Sequence, residues 1–222
     1  MALTWRSPIL GNTGRIWSSA IAVCLLSVTH PLPAENGLPD SLSVCEGCHG
    51  EGGVSTNPMV PILAGQPFTF IEDNLLAFRA GARSCSPQRL DSSAAGMLAS
   101  TMCSQVQALT DAEISALAGY FERQQFEPAQ QPFDQSQVAR GRGIHDERGC
   151  EQCHSDGGET TNAMAPVLAG QWTPYLQRAM GALRAGTRKG PVEMTRGIGT
   201  LTDAEVDALL AFYASRQRQG SG

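Results

Sequence analysis

The sequence predicts an all-α protein that contains two similar domains in tandem. Apolar residues recur at helical spacing in several segments, and the strict alternation that is typical of β-strands is weak. An internal repeat runs through most of the chain: residues 60–66 return as residues 165–171, and residues 77–83 return as residues 182–188. Two segments this similar indicate two domains of one fold.

The clearest predicted helix lies at the end of each copy of the repeat. Thr110 and Thr202 are N-cap candidates, and Glu113 and Glu205 follow them at the spacing of a capping box. The apolar residues behind these caps fall on one helical face, which predicts the core. They are Ile114, Leu117, Ala118 and Phe121 in the first copy, and Val206, Leu209, Leu210 and Tyr213 in the second.

Helical patterns also cover residues 68–79 in the first copy and residues 173–184 in the second. A further helix is predicted over residues 136–148, although the glycines in that segment weaken the pattern. The corresponding region of the first copy is short and contains Pro39. We therefore expect the first domain to lack a full N-terminal helix.

Each copy contains one Cys-x-x-Cys-His motif, at residues 45–49 and 150–154. This spacing is typical of c-type haem attachment, because one helical turn separates the two thiols that bind the porphyrin. A zinc site would need four ligands, and a redox disulfide would not require the histidine. The sequence therefore predicts two covalently bound haem c groups. The predicted attachment residues are Cys45, Cys48, Cys150 and Cys153.

The axial ligands of the two irons are predicted from the motifs and from the repeat. His49 and His154 follow the second cysteine of each motif and supply one ligand each. Methionine is the usual sixth ligand in small electron carriers. Met102 and Met194 occupy the same place in the two copies, just upstream of the capping boxes, and are the predicted sixth ligands.

Two other features of the repeat bear on the iron sites. Met59 and Met164 also correspond to each other, although methionine is more often a core residue than a ligand. Pro61 and Pro166 lie at the same distance after the motif histidines. A carbonyl at that position could accept the Nδ1–H of the histidine and orient it, and a simple turn is the alternative.

Residues 1–34 are predicted to be an export signal. Arg6 and Arg15 form a basic start, residues 16–28 form an apolar core, and Ala34 ends an acceptable cleavage site. An uncleaved anchor is the alternative, and the shortness of the core argues against it. Export predicts the periplasm, where haem is attached in bacteria. The remaining boundaries are a first domain at 35–126, a linker rich in proline and glutamine at 127–135, and a second domain at 136–222.

Cys85 and Cys103 belong to neither motif. In an exported protein they could form a disulfide, which would close the extra loop of the first copy. Cys103 directly follows Met102, so its thiolate could instead bind the iron in place of the methionine. The disulfide is the favoured interpretation, and the thiolate ligand stays open.

The formal net charge is −5, and the predicted signal contains arginine but no acidic residue. The exported part is therefore more acidic than the whole chain, which argues against nucleic acid as a partner. Lys189 is the only lysine, so any basic docking surface would consist of arginine. His145 is the one spare histidine after the signal, and we expect it at the surface.

The chain resembles the diheme class I cytochromes c of the cytochrome c4 type. The resemblance covers nearly all of the mature chain. It rests on the two haem motifs, the two Pro-x-Leu-Ala-Gly-Gln stretches and the two methionines before Leu-Thr-Asp. It implies two class I cytochrome c domains, each wrapped around one haem, that face each other through their propionate edges. It also implies a periplasmic electron carrier, without catalysis of its own, between respiratory donors and a terminal oxidase or reductase.

The implied partners are redox proteins such as a terminal oxidase or a membrane cytochrome complex, and a loose association with the membrane stays open. The cysteine-bearing insertion and the short N-terminus of the first domain depart from the family pattern. Two alternatives therefore remain. One is the cytochrome subunit of a sulfur-oxidising enzyme such as flavocytochrome c sulfide dehydrogenase. The other is a catalytic diheme enzyme, either a thiosulfate dehydrogenase with Cys103 on iron or a peroxidase with an open site.

Overall fold

The computed structural model describes residues 39–85, 101–160 and 164–217. Over these ranges the chain is helical and contains no β-strand, which confirms the predicted fold class. The contacts divide the chain into two units, residues 1–33 and residues 34–222, and the second unit contains both copies of the repeat. The predicted signal peptide lies outside the described residues.

The first copy has four α-helices among the described residues. They are α1 (Leu42–His49), α2 (Phe68–Arg79), α3 (Met102–Val106) and α4 (Asp111–Glu122). The two that the sequence predicted as the middle and final helices, α2 and α4, are present. Thr110 caps α4 in a capping box with Glu113, as predicted. The predicted apolar face of α4 is buried and packs with Ile71, Leu75 and Val106 into the core of this copy.

The second copy adds a helix before its haem motif. Its helices are α5 (Val138–Glu147), α6 (Ser155–Gly158), α7 (Thr173–Arg184), α8 (Val192–Gly199) and α9 (Asp203–Ser215). Thr202 and Glu205 form the predicted capping box of α9. The buried face of α9 packs with Ile144, Leu176, Met180 and Leu201.

A glycine allows α5 to approach α9 closely. A Cβ atom at Gly141 would lie 2.0 Å from the carbonyl oxygen of Ala208, so no larger residue fits at this crossing. Gly141, one of the two glycines that weaken the helix prediction in this segment, therefore has a packing role. The cost of glycine in a helix is about 1 kcal/mol, and close packing between the two helices offsets it.

The predicted linker, residues 127–135, is packed against the second copy. The amide of Ala129 donates to the carbonyl of Gly170 at 2.7 Å, and Ala129 belongs to a small buried cluster with Ile62 and Ala64. The buried side chain of Gln131 donates to the carbonyl of Gln171 at 2.8 Å. Composition predicted a spacer, but these contacts fix the segment in place.

Candidate functional site

The first haem motif lies on a helix, as the spacing predicts. Cys45 and Cys48 are one turn apart in α1, and His49 is its last residue and is 6% exposed. Cys45 is half-buried and packs against the core of the first copy. The two thiols and the imidazole therefore lie within the last five residues of a short helix, and Cys45 is next to the apolar core.

The second motif follows a different backbone path. Its helix α5 ends at Glu147, and Gly149 takes a left-handed conformation with φ 73°. Residues 150–152 form a 3₁₀ turn, and His154 lies outside the helical region at φ −111° and ψ 67°. The amide of His154 still donates to the carbonyl of Cys150 at 2.8 Å. A single turn thus spans this motif as well, although the predicted α-helical geometry applies only to the first.

Both motif histidines are fixed by proline carbonyls, which confirms that expectation. The Nδ1 atom of His49 donates to the carbonyl of Pro61 at 2.9 Å, and that of His154 donates to Pro166 at 2.9 Å. Because a carbonyl oxygen only accepts, Nδ1 carries the proton and Nε2 has the lone pair. Nε2 is therefore the nitrogen that can bind a metal.

The protonation of these imidazoles suits the same role. Burial lowers the pKa of His49, while the hydrogen bond to Pro61 opposes that shift. The pKa of His154 is also lowered, mainly by burial, with the Pro166 carbonyl acting against it and His145 adding to it. A neutral imidazole with Nε2 available is the form that ligates iron. The residues present therefore fit a haem iron in both copies.

The four motif cysteines are not paired with one another. Burial raises the pKa of Cys45 to about 11 and also raises the pKa of Cys150. The second cysteine of the second motif, Cys153, is exposed. Both cysteines of the first motif are half-buried, whereas the second motif has one half-buried and one exposed cysteine for the two thioether bonds of a haem c.

The methionines differ in their surroundings. Met102 is half-buried at the start of α3 and packs against the same core as Cys45. Met194 is half-buried in α8. Met59 and Met164 are 36% and 66% exposed. These positions favour Met102 and Met194 over the other matched pair as residues that face a cofactor.

Cys85 and Cys103 form a disulfide with a Cα–Cα distance of 5.9 Å. The sulfur of Cys103 is therefore engaged, and the structure favours the disulfide over a thiolate bound to iron. The bond closes the segment by which the first copy is longer than the second.

Comparison with known proteins points to one family. Residues 138–217 match the family model described as cytochrome c. Cytochrome c4 of Azotobacter vinelandii is 30% identical over 156 residues, which are 66% of this chain and 70% of that protein. This chain belongs to the cytochrome c4 family. It is a diheme electron-transfer cytochrome with two covalently bound haem c groups, as the sequence predicted.

Two further relatives cover more of the chain. The cytochrome c4 structure of Acidithiobacillus ferrooxidans matches with a TM-score of 0.63 and 27% identity, over 78% of this chain and 99% of that one. A protein of Thiomonas intermedia named thiosulfate dehydrogenase electron acceptor is 28% identical over 191 residues, 80% of this chain and 81% of that protein. Among the described helices, none is long and apolar enough to cross a membrane.

Two glutamines of this cytochrome c4 join its two copies. Val167 donates its amide to Oε1 of Gln66 at 2.9 Å, and Gln66 returns a bond to the Val167 carbonyl at 3.4 Å. Gln171 makes the same pair with Ile62, at 3.0 Å in both directions. We call these four residues the amide clasp. Both glutamines are buried, and they end the Leu-Ala-Gly-Gln stretches, whose role the sequence did not reveal.

His145 is buried at 0% exposure, so the expectation of a surface position was wrong. Its Nε2 donates to the carboxylate of Glu151 at 2.8 Å and lies 3.1 Å from the carbonyl of His154. Its Nδ1 accepts from the hydroxyl of Tyr213 at 2.9 Å. Since both ring nitrogens are engaged, His145 is a structural support beneath the second motif. Its position beside Ile144 and four residues after Gly141, on the packed face of α5, is the sequence signal that could have shown this.

An arginine cluster lies where the two copies meet. The guanidinium groups of Arg83 and Arg188 lie near the hydroxyl of Tyr175. Burial raises the pKa of Tyr175, but the two guanidinium charges lower it, and the net shift is downward. Burial also lowers the pKa of Arg83. Among the described residues no carboxylate pairs with Arg83 or Arg188, so this cluster is suited to an anionic group.

Proposed function

We propose that this cytochrome relays electrons between respiratory donors and a terminal oxidase or reductase, passing them between its two haems. The amide clasp is the observation that most supports this proposal. Ile62 and Val167, whose backbones the clasp binds, directly follow Pro61 and Pro166, whose carbonyls hold the motif histidines. The joint between the copies thus fixes the two histidine supports relative to each other, which suits electron transfer between fixed centres.

The residues proposed to hold each haem are the following. Cys45 and Cys48, and Cys150 and Cys153, form the thioether bonds. His49 and Met102 bind the first iron, and His154 and Met194 bind the second. When bound, haem c supplies a one-electron couple, and a methionine ligand favours its reduced form. Two protein ligands at each iron leave no position for a substrate, so the proposed role is transfer and not catalysis.

Arg83, Arg188 and Tyr175 would hold the haem propionates where the two copies meet. The guanidinium groups of Arg83 and Arg188 both act on Tyr175, and their positive charge complements a carboxylate. The first copy has Phe70 at the position that matches Tyr175, so the phenol is contributed by the second copy alone. The two copies would therefore differ in the hydrogen-bonding groups that they offer to the propionates.

The ligand assignment is tested by optical spectroscopy of the oxidised protein. Met102→Ala and Met194→Ala should each remove about half of the methionine–iron charge-transfer band, because each copy contributes one such bond. Met59→Ala and Met164→Ala are matched controls, since these side chains are exposed. They should leave the band unchanged. A full band in Met102→Ala or in Met194→Ala would contradict the corresponding ligand.

A second function is supported by a relative. The Thiomonas intermedia protein is named as the electron acceptor of thiosulfate dehydrogenase. This chain would then accept electrons from a sulfur-oxidising enzyme, as one of the sequence-based alternatives expects. Purified protein should stay oxidised with thiosulfate alone and become reduced when a thiosulfate dehydrogenase is added. Reduction and turnover of thiosulfate without the enzyme would instead indicate the catalytic alternative.

We also propose a cellular location for the protein. We place the mature protein in the periplasm, after removal of residues 1–34, with domains at 35–126 and 136–222 and a connecting segment at 127–135. The basic start and short apolar core of residues 1–34 support this assignment. N-terminal sequencing of protein from a periplasmic extract tests it, and a chain that begins at Met1 would contradict cleavage.

A further inference from the structure

The two copies connect equivalent positions through segments of very different length. Residues 84–101 separate Arg83 from Met102, whereas residues 189–193 separate Arg188 from Met194. Arg83 and Arg188 are equivalent in the repeat, and so are the two methionines. The first copy must therefore place its methionine at the end of a much longer connection. The entropic cost of fixing the two ends of a connection rises with its length.

The disulfide shortens that connection. Cys85 lies two residues after Arg83, and Cys103 directly follows Met102. Along the disulfide, the covalent path from Arg83 to Met102 passes only through residues 84, 85 and 103. In the first copy the cross-link thus provides a short covalent path from the arginine to the methionine. In the second copy residues 189–193 provide that path. A cross-link of this kind restricts the unfolded conformations of the connection that it closes.

The Cys85 end of the cross-link is anchored. The amide of Arg83 donates to the carbonyl of Ala77 at 3.0 Å, at the end of α2, and its guanidinium binds the side chain of Asn74. Ser84 donates to the carbonyl of Thr187 in the second copy at 3.3 Å. The residue that follows, Cys85, is therefore attached to a fixed part of the molecule.

The other end needs this support. Helix α3 has five residues, and Met102 is its first. A helix this short is not stable by itself in water. Helix α8, which contains Met194, has eight residues. Cys103 is the second residue of α3, and its amide donates to the sulfur of Cys85 at 2.9 Å. The disulfide is thus attached to the turn that presents Met102.

We propose that the Cys85–Cys103 disulfide positions Met102 at the first haem, so that both cysteines act as positioning residues for the axial ligand. The inference rests on the function proposed above, because it takes Met102 as an iron ligand. It assigns a role to the one pair of cysteines that the haem motifs do not use.

The test uses the full-length, haem-loaded protein and the methionine–iron band. Cys85→Ser combined with Cys103→Ser should lower the band to about half, as Met102→Ala does, because only the second copy keeps its methionine bond. Serine at both positions removes any thiol that could take the place of the methionine. Gln107→Ser is the matched control: it introduces a serine at an exposed position just after α3 without breaking the cross-link, and it should keep the full band.

A repaired variant separates positioning from general loss of structure. In it, residues 84–101 are replaced by a copy of residues 189–193, and Cys103→Ser is retained. This chain has no disulfide but has the short connection of the second copy. The full band should return. A band that stays at half in this variant would show that connection length is not what the disulfide supplies.

The outcomes distinguish the two proposals. If Met102→Ala leaves the band intact, the ligand assignment fails. If Met102→Ala halves the band while the double serine variant keeps all of it, the ligand stands and the positioning role is overturned. Should the double variant not accumulate, the intact protein is treated with a phosphine. The phosphine supplies two electrons to the disulfide, and one water molecule supplies two protons to the resulting thiols and its oxygen to the phosphine, which becomes its oxide. After alkylation of the thiols and reoxidation of the iron with ferricyanide, the same halved band is expected.

Discussion

The two copies of the repeat keep the same carboxylate in the haem motif but support it differently. In the first copy, Glu46 accepts from the amide of Gly52 at 2.9 Å and from the hydroxyl of Tyr120 at 2.9 Å. In the second, Glu151 accepts from the amides of residues 156 and 157 and from the imidazole of His145. One carboxylate position therefore fixes the loop after each motif, with a phenol in one copy and a buried imidazole in the other.

The difference follows from α5, which packs on α9 in the second copy. In the final helix the first copy has Tyr120 before Phe121, whereas the second has Phe212 before Tyr213. Tyr120 is half-buried and reaches the glutamate directly. Tyr213 is 1% exposed, and burial raises its pKa well above the usual value. It reaches the glutamate only through His145. The tyrosine hydroxyl is therefore at the first position of the aromatic pair in the first copy, and at the second position in the copy that has the additional helix.

The largest expected effect comes from removing this imidazole. His145→Ala should lower the free energy of unfolding by about 3 kcal/mol, because it leaves a cavity and an unpaired buried hydroxyl on Tyr213. The carboxylate of Glu151 also loses a donor. Denaturant titration followed by far-UV circular dichroism measures the change.

Asp40 is the matched control, since it occupies the corresponding place in the first copy and is exposed. Asp40→Ala should change stability by less than about 0.5 kcal/mol. Equal losses of stability in His145→Ala and Asp40→Ala would contradict the supporting role that is assigned to His145 in the second copy. A second variant, His145→Ala with Tyr213→Phe, should cost less than the sum of the two single changes, because both break the same network.

A smaller effect is expected at the amide clasp. Each glutamine pairs with a backbone amide and carbonyl of the other copy, and Gln171 also accepts from the amide of Trp172 at 3.0 Å. Gln66→Leu and Gln171→Leu should each cost about 2 kcal/mol, since each leaves a buried backbone amide and carbonyl of the other copy without partners. Gln130→Leu, at an exposed position, is the control and should cost under about 0.5 kcal/mol. Equilibrium unfolding measures all three. A loss under about 0.5 kcal/mol for either glutamine would show that the clasp does not stabilise the joint.

The smallest effect concerns the capping boxes and depends on pH. The pKa of Glu205 is lowered to about 2 by hydrogen bonds from the Thr202 amide, from Arg148 and from the Thr202 hydroxyl. The pKa of Glu113 is lowered by Thr110, and no arginine pairs with it among the described residues. A folded-state pKa below the usual 4.5 gives stability that is present above pH 4.5 and is lost as the pH falls toward 2.

The free energy of unfolding should fall as the pH falls from 4.5 toward 2. We expect Glu205→Gln to reduce this pH dependence more than Glu113→Gln does. Thermal unfolding at several pH values between about 2 and 5 measures both slopes. A larger change for Glu113→Gln would show that Arg148 does not contribute to the difference. Above this range the two variants should follow the wild type in their pH dependence.

Much of the site could be read from the chain because its signals are local or repeated. The haem motifs are fixed spacings, and the capping boxes need four consecutive residues. The repeat narrows seven methionines to two matched pairs, one of which is Met102 and Met194. The proline carbonyls that hold His49 and His154 were also expected, since both recur at one spacing. The positions of the methionines support their role, and the spectroscopic test above decides it.

Contacts between distant segments could not be read in this way. Gln66 and Val167, or His145 and Tyr213, are far apart in the chain, and nothing in one segment specifies the other. The connecting segment at 127–135 has the composition of a free linker, yet Gln131 is buried against the second copy. Its contacts depend on the loop at Gly170 being brought beside it.

The sequence alone determined the fold class, the two haem motifs and the pairing of equivalent residues, because periodicity, spacing and repetition are properties of the chain itself. Only the tertiary structure decided how the copies are joined, which group supports each motif glutamate and how the long connection to Met102 is shortened. A buried amide or imidazole is stable only where a partner satisfies its hydrogen bonds, and in this protein that partner comes from another part of the fold.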